Sequence, residues 1–313
     1  VKLRLAPRLS FLPCVGIAIV ALVAVTLSFI DTTQAYVAST TNKSFQPLGW
    51  VDSNCVIIVA NSNGSADIDD GSDLLAIENA ISKWHQAIGD CSFLRLSLQE
   101  SSPTALPEFN KKGENTNTIY WAEELCATDA ETGCWKHDAA AAAITTVSFV
   151  DNPNSERDGQ IIDADVELNG VYFTFSTSGN METDVENTVV HELGHLIGLD
   201  HPCDDGARTP TPYDHVGRRI PECGKEPDSY KEVTMYNFAD FGETKKRSPE
   251  KDDVRGVCDL YPLKKDPGAC KPAELPTGSC TLNGERVPKT ELLVLMFLLG
   301  GLLFRRCRIN GKR

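Results

Sequence analysis

Residues 189–201 read VVHELGHLIGLDH and hold three of the chain's six histidines. Just upstream, Thr183-Asp184-Val185-Glu186 has the T-x-x-E form of a capping box ahead of an apolar-periodic run, so a helix is expected to start at Asp184. On that helix His191 and His195 stand at i and i+4, on one face and close enough to share one metal ion. Glu192 follows the first of them directly, where its carboxylate can reach a water on that ion. The helix has to end at Gly198, because glycine takes the left-handed conformation past a helix C-terminus at no side-chain cost, and the turn can bring His201 back toward the same ion. Three neutral imidazoles with one open position describe a catalytic zinc site; a structural site is closed by a fourth protein ligand. HExxH alone also arises by chance in ordinary amphipathic helices. The full HExxHxxGxxH, with a cap before it and a glycine stop inside it, is far more specific.

Outward from this stretch, the two ends of the chain differ in kind from its middle. Residues 1–35 carry Lys2, Arg4 and Arg8, then the apolar run FLPCVGIAIVALVAVTLSFI, then TTQA with Thr33 and Ala35 at the −3 and −1 positions of a cleavage site. This predicts a secretory signal peptide and a mature chain beginning at Tyr36. An uncleaved membrane anchor is the alternative, since the run is nearly long enough to span a bilayer. Val1 fits an alternative start codon read literally, and a bacterial source is the expectation. At the other end, residues 291–313 contain LLVLMFLLGGLLF (292–304) followed by RRCRINGKR. Thirteen residues at ~1.5 Å rise cover only ~20 Å of a ~30 Å hydrocarbon core. The basic tail should stay cytoplasmic, which leaves the domain outside. The segment resembles the C-terminal sorting tags of bacterial surface proteins, a short hydrophobic helix with an arginine cluster, so membrane association is expected through it, retained or cleaved.

Eight of the 30 basic residues and one of the 44 acidic ones lie in residues 1–35 and 305–313, so residues 36–304 carry a net charge near −21. A phosphate-backbone partner is excluded by that sign, and no nucleic acid is expected. Of eleven cysteines, Cys14 and Cys307 lie in the ends, leaving nine in an oxidising compartment. No CxxC occurs, which favours disulfides over a zinc ribbon. Cys126 with Cys134 and Cys203 with Cys223 are plausible short-range pairs, and the odd thiol is assigned to Cys280.

The middle reads as mixed α/β. Strands are expected at 56–62, 93–99, 117–123, 143–150 and 161–168, and a helix over 73–88 with Leu74, Ile77, Ala80, Ile81 and Trp84 on its apolar face. Segments 101–116 and 202–232 look irregular, the second stapled or functional. Ser248 as N-cap with Pro249 at N1 predicts a last helix. Residues 263–290, rich in Pro, Lys and Gly, read as a linker. Two acidic stretches, 67–71 and 163–167, raise a calcium hypothesis. Neither has EF-hand spacing, so Ca2+ is not assigned; the first reads as a solvated turn, and alternation puts Asp163, Asp165 and Glu167 on one polar strand face.

HELGHLIGLDH resembles the extended zinc motif of the metzincin clan of zinc endopeptidases at every defined position. Val-Thr-Met-Tyr (233–236) looks like that clan's Met-turn, with Met235 beneath the metal. The resemblance covers residues 36–262 and is nearest the matrixin-like bacterial branch. It implies an α/β (α+β) catalytic domain with a twisted, mostly parallel five-stranded sheet, an active-site helix and a Met-turn. Zn2+ is then held by His191, His195 and His201, with Glu192 as general base and Gly198 and Met235 supporting the site. Segment order implies that AITTVSFV (143–150) is the edge strand along which a protein or peptide substrate lies. Three features depart from the pattern. Pro202 follows the third histidine, as in serralysin-like members. Asn237 stands where serralysins and astacins place a metal-reaching tyrosine, with Tyr236 one residue early. PECGKEPD (221–228) is a poor match to a cysteine switch and reads as a disulfide loop. The expected activity is secreted or surface-anchored zinc-dependent endopeptidase, general or acting on one envelope partner. The alternative is a surface-anchored binding or adhesion module with structural zinc, against which Glu192 argues, since a structural site has no use for it.

Overall fold

A computed structural model describes residues 36–206 and 213–270, which form, in chain order, β1 (Val37–Ala38), β2 (Cys55–Ala60), α1 (Ser72–Ile88), β3 (Arg95–Leu98), β4 (Asn117–Ala122), β5 (Ala143–Phe149), β6 (Ile161–Asn169), β7 (Phe175–Ser176), β8 (Thr183–Asp184), α2 (Val185–Leu196), β9 (Leu199–Asp200) and α3 (Lys251–Leu260). The expected signal peptide, the hydrophobic C-terminal segment, the part of the expected linker beyond Cys270, and Cys14, Cys280 and Cys307 lie outside the described residues.

Five strands make one sheet in the order β3-β2-β4-β6-β5. The first four run parallel, and β5 closes the edge antiparallel to β6. The fold is thus mixed α/β with a mostly parallel five-stranded sheet, as expected. One face presents Val56, Ile58, Ala60, Ile119, Trp121, Ala164, Val166 and Leu168 to α1 and α2. From α1 this core receives Ala76, Ile77, Ala80, Ile81, Trp84 and Ile88, while Leu74 is only half-buried at its margin. The Trp84 indole is fully buried, and its Nε1–H donates to the Val190 carbonyl of α2 at 2.9 Å. That bond avoids the ~1–3 kcal/mol cost of a buried donor left unpaired.

The opposite face of the sheet carries the acidic residues of β6. Asp163, Asp165 and Glu167 do share a face of β6, but all three are buried. Two irregular segments cover them. The segment 101–116 is held by Asn61 Nδ2 donating to Ala105 O at 2.7 Å. The segment after β4, closed by the Cys126–Cys134 disulfide, is held by Tyr120 Oη donating to Gly133 O at 2.8 Å. Asp165 accepts from the Thr118 backbone N–H at 2.8 Å, and Glu167 faces His137 Nε2 at 3.2 Å. Neither acidic stretch gathers three metal-ligating groups among the described residues. In the first, Asp67 accepts from Phe175 N at 2.8 Å and Asp70 from Ser72 N at 2.9 Å, so these carboxylates shape the loop that leads into α1.

Four disulfides join Cys55 to Cys270, Cys91 to Cys258, Cys126 to Cys134 and Cys203 to Cys223. They are compatible with an extracellular location. Two tie the C-terminal part of the domain back to its start, and Asn54 N donates to Ala269 O at 2.8 Å, so the first residues of the expected linker are fastened to β2. The last helix begins later than expected. Its N-cap is Glu250, not Ser248, because Ser248 stays extended: Ser248 O accepts from Thr234 Oγ1 at 3.3 Å and Glu250 N donates to the same hydroxyl at 2.9 Å.

Candidate metal centre

Helix α2 is almost wholly buried, and its ends are fixed by side chains. At the N-terminus the capping residue is Asp184, one later than the Thr183 of the expected box. Its carboxylate accepts from Asn187 N at 2.8 Å, while Thr183 is committed to β8 through its N–H to Thr174 O. Arg247 clasps the Asp184 carboxylate through Nε and Nη2. At the C-terminus Trp50 Nε1–H donates to Leu196 O at 2.9 Å and Tyr261 Oη to Ile197 O at 2.8 Å, satisfying two of the carbonyls a helix leaves over. Gly198 follows with φ of +93°, and a Cβ there would meet Leu48 O at 2.6 Å. Only glycine fits. The reversed chain then pairs as β9 with β1, through Leu199 with Ala38 and Asp200 with Val37, which delivers His201 to the face of α2.

The three expected histidines come together. His201 Nε2 lies 3.2 Å from His191 Nε2 and 3.0 Å from His195 Nε2. Tetrahedral ligands at ~2.1 Å from a zinc ion stand ~3.4 Å apart, a few tenths of an ångström wider than these separations, so a small outward movement of the rings would seat the ion. The outer nitrogens support the same reading. His191 Nδ1–H donates to Thr234 O at 2.7 Å and His195 Nδ1–H to Leu199 O at 3.0 Å. A carbonyl only accepts, so both rings carry their proton outward and turn a bare Nε2 lone pair inward. Burial, then the neighbouring Lys246, His195 and His201, hold His191 well below its ordinary pKa, in the neutral form that binds metal. Converging lone pairs repel unless a cation lies between them, and the donor set fits the implied ion.

Glu192 is buried beside the triad. Burial pushes its carboxyl above the ordinary value, opposed by His195 and by the Thr145 hydroxyl, which donates to Oε2 at 2.6 Å. Thr145 lies on β5, the edge strand expected along the cleft. Met235 is 1% exposed and sits beneath α2; a Cβ on Gly194 would run into its Sδ. The turn containing Met235 closes by Tyr236 N to Val233 O at 3.2 Å, and Thr234 N donates to the buried Asp253 at 2.7 Å.

No protein-family model matches this chain, and no curated protein does either.

The reading of the site therefore rests on the residues themselves. All six expected site positions, His191, His195, His201, Glu192, Gly198 and Met235, fall in one neighbourhood. Four contributors carry no sequence signal of their own: Thr145 on Glu192, Thr234 on His191, Asn237 on His201, and Lys246, whose Nζ donates to Tyr236 O at 2.6 Å and Phe238 O at 2.8 Å. Each acts through tertiary contact, and periodicity or spacing says nothing of such partners. Among the described residues the other cluster with ligand spacing is Cys126, Glu131 and Cys134, and its sulfurs are spent on a disulfide.

Proposed function

We propose that this protein is a zinc-dependent endopeptidase of metzincin type, exported and acting on protein or peptide substrates. The observation that carries the proposal is the convergence of His191, His195 and His201 Nε2 atoms beside a buried Glu192. Zinc held by the three imidazoles supplies Lewis acidity, making a water more acidic and polarising the scissile carbonyl. Glu192 takes the proton from the attacking water and returns it to the leaving amine. Its carboxylate is buried beside the triad, where it can reach a water held there. Thr145 engages one carboxylate oxygen and leaves the second for proton transfer.

Substrate enters by backbone pairing. β5 is an edge strand and its Thr145 touches the base, so a peptide added to this edge runs past Glu192. The resemblance of HELGHLIGLDH to the metzincin motif supports the same assignment, as does the seating of Met235 under α2.

The deciding experiment compares the parent with Glu192→Gln on a diverse peptide library, with zinc content determined for both. Cleavage by the parent alone, with zinc retained in both and the rate down by about 10²–10⁴-fold in the variant, is the expected outcome. If both hold zinc and neither cleaves any peptide, a general endopeptidase is ruled out, which leaves a binding module with structural zinc or a protease confined to one partner, and cleavage of that partner separates the two.

A further inference from the structure

The third histidine is the one whose orientation α2 does not dictate, because His201 follows the turn instead of lying on the helix. Its Nδ1 faces the nitrogen end of the Asn237 side-chain amide, Nδ2, at 3.0 Å. The other end of that amide lies 3.2 Å from Cys203 Sγ. This sulfur is bonded to Cys223 and has no proton to donate. An amide oxygen turned toward it gains nothing, whereas an amide N–H there meets a weak acceptor. A half-turn of the amide exchanges its two ends within the same space. Asn237 Oδ1 then accepts from His201 Nδ1–H, and His201 Nε2 turns a lone pair inward like the other two. The opposite orientation donates Nδ2–H to Nδ1 and forces the His201 proton onto Nε2, between the very nitrogens that would share the ion.

The amide is held where this choice matters. Lys246 is 3% exposed, and its ammonium donates to the carbonyls of Tyr236 and Phe238, the two neighbours of Asn237 in the chain. The Lys246 backbone N–H donates in turn to Asn187 Oδ1 on α2 at 2.8 Å. The residue beside His201 is thereby indexed to the helix that carries His191 and His195. We propose that Asn237 is a positioning residue that sets His201 as a metal ligand by accepting its Nδ1 proton. The inference rests on the zinc reading above. His191 and His195 receive the equivalent support from backbone carbonyls, which substitution leaves in place. At His201 the acceptor is a side chain, and it can be removed alone.

The test uses the exported chain as parent, Asn237→Asp, Asn237→Leu and Asn237→Ala, titrated with zinc against a chromophoric chelator and with cobalt(II) followed by its visible absorption. Leu and Ala should weaken zinc binding by about 10- to 100-fold and alter the cobalt spectrum. Asp supplies the same acceptor and should bind zinc within a few-fold of the parent. Melting of the chelator-treated proteins separates a fold defect from a ligand defect, and the Leu or Ala variant that melts with the parent is the one to read. Parent-like zinc affinity in that variant, or Asp binding as weakly as it does, overturns the role of Asn237 and leaves the zinc site standing. A parent that takes up no zinc overturns the zinc reading and this inference together.

Discussion

Asp163 is 1% exposed, and its Oδ1 has no hydrogen-bond partner. Burial pushes its carboxyl up to about 7, against a hydrogen bond with Asp165, and Asp165 is itself pushed up, first by burial and then by the Asp163 charge. An unfolded aspartate titrates near ~3.9, so between about pH 4 and 7 the folded chain binds a proton that the unfolded chain does not. Stability from this group is present below that window and is lost as pH rises through it. The chelator-treated parent should therefore unfold at lower urea as pH goes from 5 to 8. Asp163→Asn removes the charge while keeping the shape, and should flatten that slope and add on the order of 1 kcal/mol or more at pH 8. Equal slopes for parent and variant would sink the argument. Gly198 gives a second prediction at this scale. With φ of +93° and Leu48 O where a Cβ would stand, Gly198→Ala should cost about 1–3 kcal/mol. It should also weaken zinc binding, because the turn that delivers His201 is displaced; urea unfolding and a zinc titration read the two effects separately.

Helix α2 depends on its cap more than its length requires, since Asp184 holds both the Asn187 N–H and the Arg247 guanidinium. Asp184→Ala should cost about 2 kcal/mol, the upper range for a cap, because a buried partner of Arg247 is lost as well. Asp184→Asn keeps a capping oxygen and should retain about half of that by urea unfolding; a loss as large as that of Ala would show that the ion pair, not the cap, dominates. The element also shows where sequence reasoning reached and where it stopped. The i, i+4 histidines, the glycine stop and the five strands were legible because each is a local pattern. The sequence puts the cap one residue early, since Thr183 and Asp184 are both good capping residues and only the pairing of β7 with β8 separates them. Ser248-Pro249 has the form of a helix start, yet Thr234 holds the chain extended there. The acidic alternation of β6 located one face correctly, but a period of two cannot tell water from a covering loop. In the sequence Asn237 reads only as a departure from the tyrosine position of the resembled motif, and its use appears once the fold brings it to His201.

At the scale of the molecule, α3 links stability to the site. It carries Asp253, which accepts from Thr234 N, and the Thr234 carbonyl in turn orients His191. Tyr261, directly after α3, donates to Ile197 O at the end of α2. The helix is fastened to the end of α1 by Cys91–Cys258, a cross-link spanning 167 residues, whereas Cys126–Cys134 spans 8 on the far face of the sheet. With Cys55–Cys270 still closed, the shorter path between Cys91 and Cys258 runs through that bridge over about 48 residues, so loop-closure entropy gives about 4 kcal/mol for the first and about 2.5 kcal/mol for the second. Replacing both cysteines of each pair with serine should therefore separate two effects. The Cys91→Ser, Cys258→Ser protein should lose the larger share of stability in urea and bind zinc more weakly, because freeing α3 loosens the carbonyl that holds His191. The Cys126→Ser, Cys134→Ser protein should lose less and bind zinc as the parent does, since its loop covers Glu167 and His137 rather than the triad. Equal zinc affinity in both would mean that α3 holds its place by packing alone. Gly256 would then be the contact to test next, because a Cβ there would meet Tyr36 and Leu199, the residues beside which β1 and β9 present His201.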